Sequence, residues 1–333
     1  MPKYLTGLVT TDFWMFPPFP YRSRGWSVEL VSTAQSRRIQ EMPHGPTITS
    51  KRSVKGRAVV IKARNESAAR KAAFLIQAAA EIWRGGSFLS DGIAEPIEIV
   101  QYKCDQAEKV NPNSYRCFFD IPLACMLAIK ASRRREWIYA VSKLWLSYRQ
   151  FSVFKEDLDP SRWDRLPNPK SPYPFDHVAY SQAIVLAYGV LEQLGLEIRA
   201  SSQNPSFDKN GAWNPNVRGH LEGRLRRAGI DLTEQYAWDL RGSKTRLERE
   251  RPPKFVKNAP WSQWNVRDGF VEVIDAIAHV SWLRSKVSAH KSKYEFMRAL
   301  SVYDVANAQY LARRLLLESF GFWKNDHKSI KEE

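Results

Sequence analysis

Nowhere does this chain hold an apolar run approaching the roughly eighteen residues that a membrane-spanning helix needs. The nearest stretch, 117–129, is broken by Asp120 and Pro122. The first twenty residues carry aromatics and prolines but no continuous apolar segment, so they do not read as a secretory signal. Cysteine is scarce: Cys104, Cys117 and Cys125 are an odd set of three with no paired spacing. That excludes a disulfide framework, and no Cys/His group has zinc-finger spacing. A reducing, cytoplasmic setting is the expectation. Carboxylates are in deficit, and none cluster at a spacing suited to a metal ion. No repeat of fixed period is present, which excludes solenoids and propellers. No helix-turn-helix or other groove-reading motif stands out.

What is present in excess is positive charge. Fifty-one Lys and Arg against 35 Asp and Glu leave a net charge of +16 over 333 residues. Such an excess suits a polyanionic partner, nucleic acid first among them, although a basic surface serving solubility gives the same count. An anionic membrane surface is a weaker match, because no segment is basic on one helical face and apolar on the other. The hydrophobic fraction of 44% is ordinary for a globular protein, and the length predicts two domains. Twelve tryptophans point to core or interface packing.

The first 115 residues read as a mixed α/β domain whose sequence carries no motif attachable to chemistry; its role is left open, a sensor or regulator being one reading. Residues 26–31 and 57–62 are strand-like, separated by a Pro/Gly/Ser/Lys loop over 43–56. Asn65-Glu66-Ser67 starts an alanine-rich helix that ends at Gly85-Gly86, and 95–102 is a further strand candidate. From 116 to 333 the pattern is helical, giving an α+β protein with an all-α C-terminal bundle. Helices are predicted over 123–130, 136–150 and 176–194, the last closed by Gly195. Arg133-Arg134-Arg135 separates the first two. Residues 159–174 and 200–218 read as loops. Short helices are predicted over 217–228 and 231–240, and a basic insert spans 200–260. A helix is predicted over 268–283, and Ser301 with Asp304 opens a last helix that runs to Gly321.

Arg284 and His290 form the most informative pair. Val273, Ile274, Ile277 and Ser281 follow a helical stripe, and its next position is Arg284. A guanidinium is costly to bury unpaired. Either the helix ends near Leu283, or Arg284 sits in a wet interior cleft. Six residues on, His290 titrates near neutral pH. Arg38 and His44 repeat the spacing, but Pro43, Gly45 and Pro46 mark that instance as loop. Cations near a helix end are also common for electrostatic reasons alone. His279, on the same helix as Ile277 and Val280, reads as a satisfied structural histidine. His177 falls near a helix N-terminus, and His220 and His327 lie in polar surroundings.

The order of pieces over about 120–323 resembles the HEPN superfamily of helical bundles, particularly bacterial members of toxin and abortive-infection systems. The resemblance rests on residues 131–140 followed by Asp157-Leu158-Asp159-Pro160, on Leu191-Glu192-Gln193-Leu194-Gly195-Leu196, on residues 283–290, and on residues 311–317. The family's nuclease motif is an arginine, four to six residues, then a histidine, and Arg284 and His290 have five between them. Asn, Asp or His often follows the family's arginine; here it is Ser285, whose reach is shorter.

The resemblance implies metal-independent cleavage of single-stranded RNA, with no cofactor. The 2′-hydroxyl attacks the adjacent phosphorus and the 5′-oxygen leaves. His290 would exchange the proton. Arg284 would meet the charge that builds on the phosphoryl oxygens. Ser285 and Ser288 would support them. Residues six apart on a helix diverge by about 240°, so two copies of the motif facing across a two-fold axis are expected, in a homodimer. An antitoxin or defence-system protein is a further expected partner. Candidate RNA-backbone contacts are Arg133, Arg134, Arg135, Arg241, Lys244, Arg246, Lys286 and Lys291. The interleaved Glu248 and Glu250 leave a solvated helix face equally open for the segment around Arg246. Two competing readings stand beside the nuclease: a catalytically silent HEPN-like RNA-binding scaffold and an unrelated basic DNA-binding protein.

Overall fold

The computed structural model describes residues 1–11, 21–32, 56–85, 99–101, 116–117, 121–151, 174–208, 212–240, 267–287, 300 and 302–322. Those residues form a mixed α+β chain, mostly helical. It divides into two compact units: 1–84 with 93–138, and 85–92 with 139–333. The expected boundary near 115 falls short of this division, because the helix over Ile121–Ala131 packs on Glu66–Arg84 of the first unit.

In the first unit, strands β1 (Lys3–Thr11), β2 (Tyr21–Ser23), β3 (Trp26–Ser32), β4 (Gly56–Ala63), β5 (Ile99–Gln101) and β6 (Arg116–Cys117) form one sheet. The order is β2-β3-β4-β1-β5, and β6 continues the β5 edge parallel to β1. The β1 strand was not evident from local pattern. It carries an irregularity between Leu5 and Val9 opposite β4. Thr6, fully buried there, donates its hydroxyl to the Val59 carbonyl (2.9 Å) and accepts from the Leu8 amide (3.2 Å). The side chain thereby satisfies groups that the bulge takes out of the ladder. Helix α1 (Glu66–Arg84) lies on the sheet, and α2 (Ile121–Ala131) packs against α1. Asn65 Oδ1 accepts from the Ala68 amide at 2.9 Å, as a capping residue does. Ala69, Ala72, Ala73, Ile76, Ala79 and Ala80 are all buried and form the packing face, with Trp83 half-buried at its end. Cys125 is a buried thiol on α2.

The second unit contains most of α3 (Arg135–Gln150), with α4 (Pro174–Leu194), α5 (Pro215–Arg227), α6 (Val273–Val287) and α7 (Val302–Ser319). Helix α7 is its centre, with nearly every residue buried, and it packs against α4 and α6. A buried polar thread ties three helices together. Gln309 on α7 donates to Ser147 Oγ (3.1 Å) and to the Phe151 carbonyl (2.6 Å), while Ser147 donates to the Ala183 carbonyl (2.7 Å).

This unit is not all-α. Strands β7 (Gln235–Leu240) and β8 (Arg267–Glu272) form a two-stranded antiparallel ladder, where helices over 231–240 and from 268 were expected. Tyr236 and Trp238 alternate inward, both fully buried, and Tyr236 stands opposite the buried Val271. Cross-strand pairing overrides a short segment's helical pattern because period-2 burial against α6 and α7 satisfies these large rings. The basic insert over 200–260 is likewise in part ordered structure, since α5 and β7 fall within it.

Candidate functional site

Helix α6 begins at Val273 and continues to Val287, past the stop expected near Leu283. The core positions on its last turns are Val280, Leu283 and Val287, all buried. Arg284 stands one residue aside from that stripe, so the helix need not end to spare the guanidinium from the core. The side chain is 42% exposed, and its Nη2 lies 3.3 Å from Glu192 Oε1. Its Cζ is 5.7 Å from the centroid of the Tyr188 ring. Arg284 is thus wet, paired and stacked.

Tyr188 and Glu192 lie one turn apart on α4, so they project from the same face. Tyr188 is buried at 4% exposure and its hydroxyl is hydrogen-bonded to Ser281 of α6 and to the backbone of Ile198. Burial pushes its pKa up, against the pull of those two bonds. The phenol is therefore a fixed neutral platform for the guanidinium. Glu192 sits in the last turn of α4, where the helix dipole disfavours a carboxylate. Two cations compensate it. Lys143 Nζ on α3 lies 3.8 Å from Glu192 Oε2, opposite the oxygen that faces Arg284. Lys143 also donates to the Gly189 carbonyl at 3.3 Å. Below this group, Arg224 of α5 closes the end of α4 by donating to the Gly195 (3.0 Å) and Glu197 (2.7 Å) carbonyls.

The remaining predicted residues distribute as follows. Ser285 is exposed and donates its hydroxyl to the Trp282 carbonyl (2.7 Å) of its own helix rather than toward Arg284. Lys286 is exposed, with Nζ 5.9 Å from the Trp282 ring centroid. Arg133, Arg134 and Arg135 are exposed at the α2–α3 junction, in the first unit, while Arg284 belongs to the second. Arg134 stacks on Trp137 at 4.7 Å. His290, Ser288, Lys291, Arg241, Lys244 and Arg246 lie outside the described residues.

His279 is structural but not satisfied. Among the described residues neither ring nitrogen has a hydrogen-bond partner, and the ring packs between Trp238 (5.7 Å) and Trp282 (6.2 Å). Complete burial lowers its pKa to about 4, which keeps it neutral and apart from proton transfer at ordinary pH.

Sequence reasoning missed Lys143, Tyr188 and Glu192 as companions of Arg284. One signal existed: an acid at the negative end of a helix needs a cation nearby. Among the described residues, no group of three or more His, Cys, Asp or Glu could hold a metal ion, and no helix is long and apolar enough to cross a membrane. In comparisons with known proteins, the chain matches no family model, no curated protein and no solved structure.

Proposed function

We propose that this protein is a metal-independent endoribonuclease of the HEPN type, acting on single-stranded RNA in bacterial phage defence or stress response. The observation that carries the reading is Arg284: a guanidinium held outside the core stripe, half in water, stacked on Tyr188 and, among the described residues, paired with Glu192 alone. Such a group can present its free edge to two phosphoryl oxygens. The net charge of +16 supplies the long-range attraction for an RNA chain.

In the proposed reaction the 2′-hydroxyl loses its proton and its oxygen bonds to the adjacent phosphorus. The bond to the 5′-oxygen breaks, and that oxygen takes up a proton. The products are a 2′,3′-cyclic phosphate and a 5′-hydroxyl. His290 serves as the proton-exchanging group and Arg284 meets the charge on the non-bridging oxygens. Ser288 is an accessory hydroxyl of the motif. A second reading, RNA binding without cleavage, draws on Glu192, which neutralises part of Arg284's charge in the free protein.

Purified protein with end-labelled single-stranded RNA and EDTA separates the two. Cleavage that survives chelation, and that falls on the order of 10²–10³-fold in Arg284→Ala and His290→Ala, supports the nuclease. Equal binding by all three proteins with no cleavage by any rejects it.

A further inference from the structure

Lys143 is 141 positions away from Arg284 in the chain, yet the two cations share one carboxylate. Glu192 Oε1 faces Arg284 at 3.3 Å and Oε2 faces Lys143 at 3.8 Å. Neither distance is that of a tight ion pair, and all three side chains keep 29–42% of their surface in water. One carboxylate against two cations leaves a local excess of positive charge, with Lys286 a further exposed cation on the same last turn of α6.

The placement of Lys143 is built into α4. Its side chain lies across Gly189, in the interior of that helix, and Nζ bonds the Gly189 carbonyl. A Cβ at position 189 would stand 2.9 Å from both Cδ and Nζ of Lys143. Glycine is a poor residue for a helix interior. Here its missing side chain is the space the lysine occupies. The backbone at this position has no need of glycine's conformational freedom, since no positive φ is present there.

We propose that Lys143 and Arg284 form a two-cation clamp for one phosphate group of the RNA backbone, with Glu192 as the counter-ion that the phosphate displaces. The proposal rests on Arg284 belonging to the RNA site. The clamp explains why a carboxylate stands at the unfavourable end of α4: without it, the two cations would repel each other in the free protein. When a phosphate arrives, its oxygens replace those of Glu192, and the weak pairing distances keep that exchange inexpensive.

The test is binding of a short fluorescein-labelled 2′-O-methyl oligouridylate, which lacks the attacking hydroxyl and so reports binding alone. Lys143→Gln is expected to weaken binding about fivefold at low salt and to make the slope of log K against log salt shallower by about 0.7. Gly189→Ala is expected to do the same with every charge intact and no loss of thermal stability. Glu192→Gln is expected to tighten binding. Combining Lys143→Gln with Arg284→Ala should cost less than the sum of the two, as for groups that hold one phosphate. Wild-type binding by Lys143→Gln, alongside weakened binding by Arg284→Ala, overturns the clamp and leaves the nuclease reading standing. Unchanged binding by Arg284→Ala itself removes the RNA site on which both rest.

Discussion

His279 shows how one side chain sets a pH limit on the fold. Its pKa of about 4 in the folded chain lies below the usual 6.5, and burial is the cause. The unfolded chain therefore binds a proton that the folded chain refuses. Stability is fully held above about pH 6.5 and falls as pH drops toward 4, by about 1.4 kcal/mol per pH unit from this residue. His279→Phe keeps a ring between Trp238 and Trp282 but cannot be protonated. Urea midpoints at pH 7.5 and pH 5 are expected to separate less in His279→Phe than in the wild type. Equal separation in both proteins would place the acid sensitivity elsewhere. The residue was legible as structural from its place beside Ile277 and Val280. Its missing hydrogen bonds were not, since they depend on two tryptophans, one of them on β7.

At the scale of elements, the β7–β8 ladder is fastened to α7 by buried charge. Arg314 pairs with Glu318 on its own helix and with Glu234 just before β7, and Tyr236 donates to Glu318 Oε2 at 3.0 Å. Burial raises the pKa of Glu318 above the usual carboxylate range, with Arg314 pulling it back. For Arg314 burial is the largest single influence and acts downward, but the bond to Glu318 together with the charges of Glu318 and Glu234 outweighs it, so the guanidinium stays charged. Removing one partner leaves a buried charge uncompensated. Arg314→Leu is therefore expected to destabilise by about 3–5 kcal/mol, measured by urea denaturation. A loss below about 1 kcal/mol would mean that water reaches Glu318 and Glu234 readily. The helices were legible because their signals are local: the alanine stripe of α1, Asn65 as its cap, Gly195 closing α4. The strands β1, β7 and β8 were not, because a strand's partner is remote. Tyr4 pairs with Ile61 and Gln101, and Tyr236 with Val271. No window of ten residues contains both halves of such a pair.

For the whole molecule, assembly is the decisive question. Helix α6 is continuous through Val287, so the first half of the span from Arg284 to His290 is helical, and a helix carried on to His290 would set the two side chains about 240° apart. In the proposed homodimer, a cleft built from two copies would bring an arginine and a histidine together across the two-fold axis. Light scattering on the purified protein is expected to give twice the monomer mass. RNA cleavage is expected to lose specific activity on dilution below the dimer dissociation constant. Full specific activity in a monomeric sample would sink the shared-cleft arrangement. Exposed apolar side chains lie on α3 (Ile138, Tyr139, Leu146) and at the start of α4 (Phe175, Val178).

By itself the sequence determined the positive charge, the helices whose period and caps are written in neighbouring residues, and the singling out of Arg284. These are additive or short-range properties, read within one or two turns of chain. Tertiary structure alone decided that Tyr236 and Trp238 lie on a strand, that α2 belongs with α1, and that Lys143 and Glu192 gather around Arg284. Each depends on segments far apart in sequence meeting in space. A carboxylate 92 residues from its guanidinium has no local pattern to mark it, and only the packing of α3, α4 and α6 brings those charges within reach of one another.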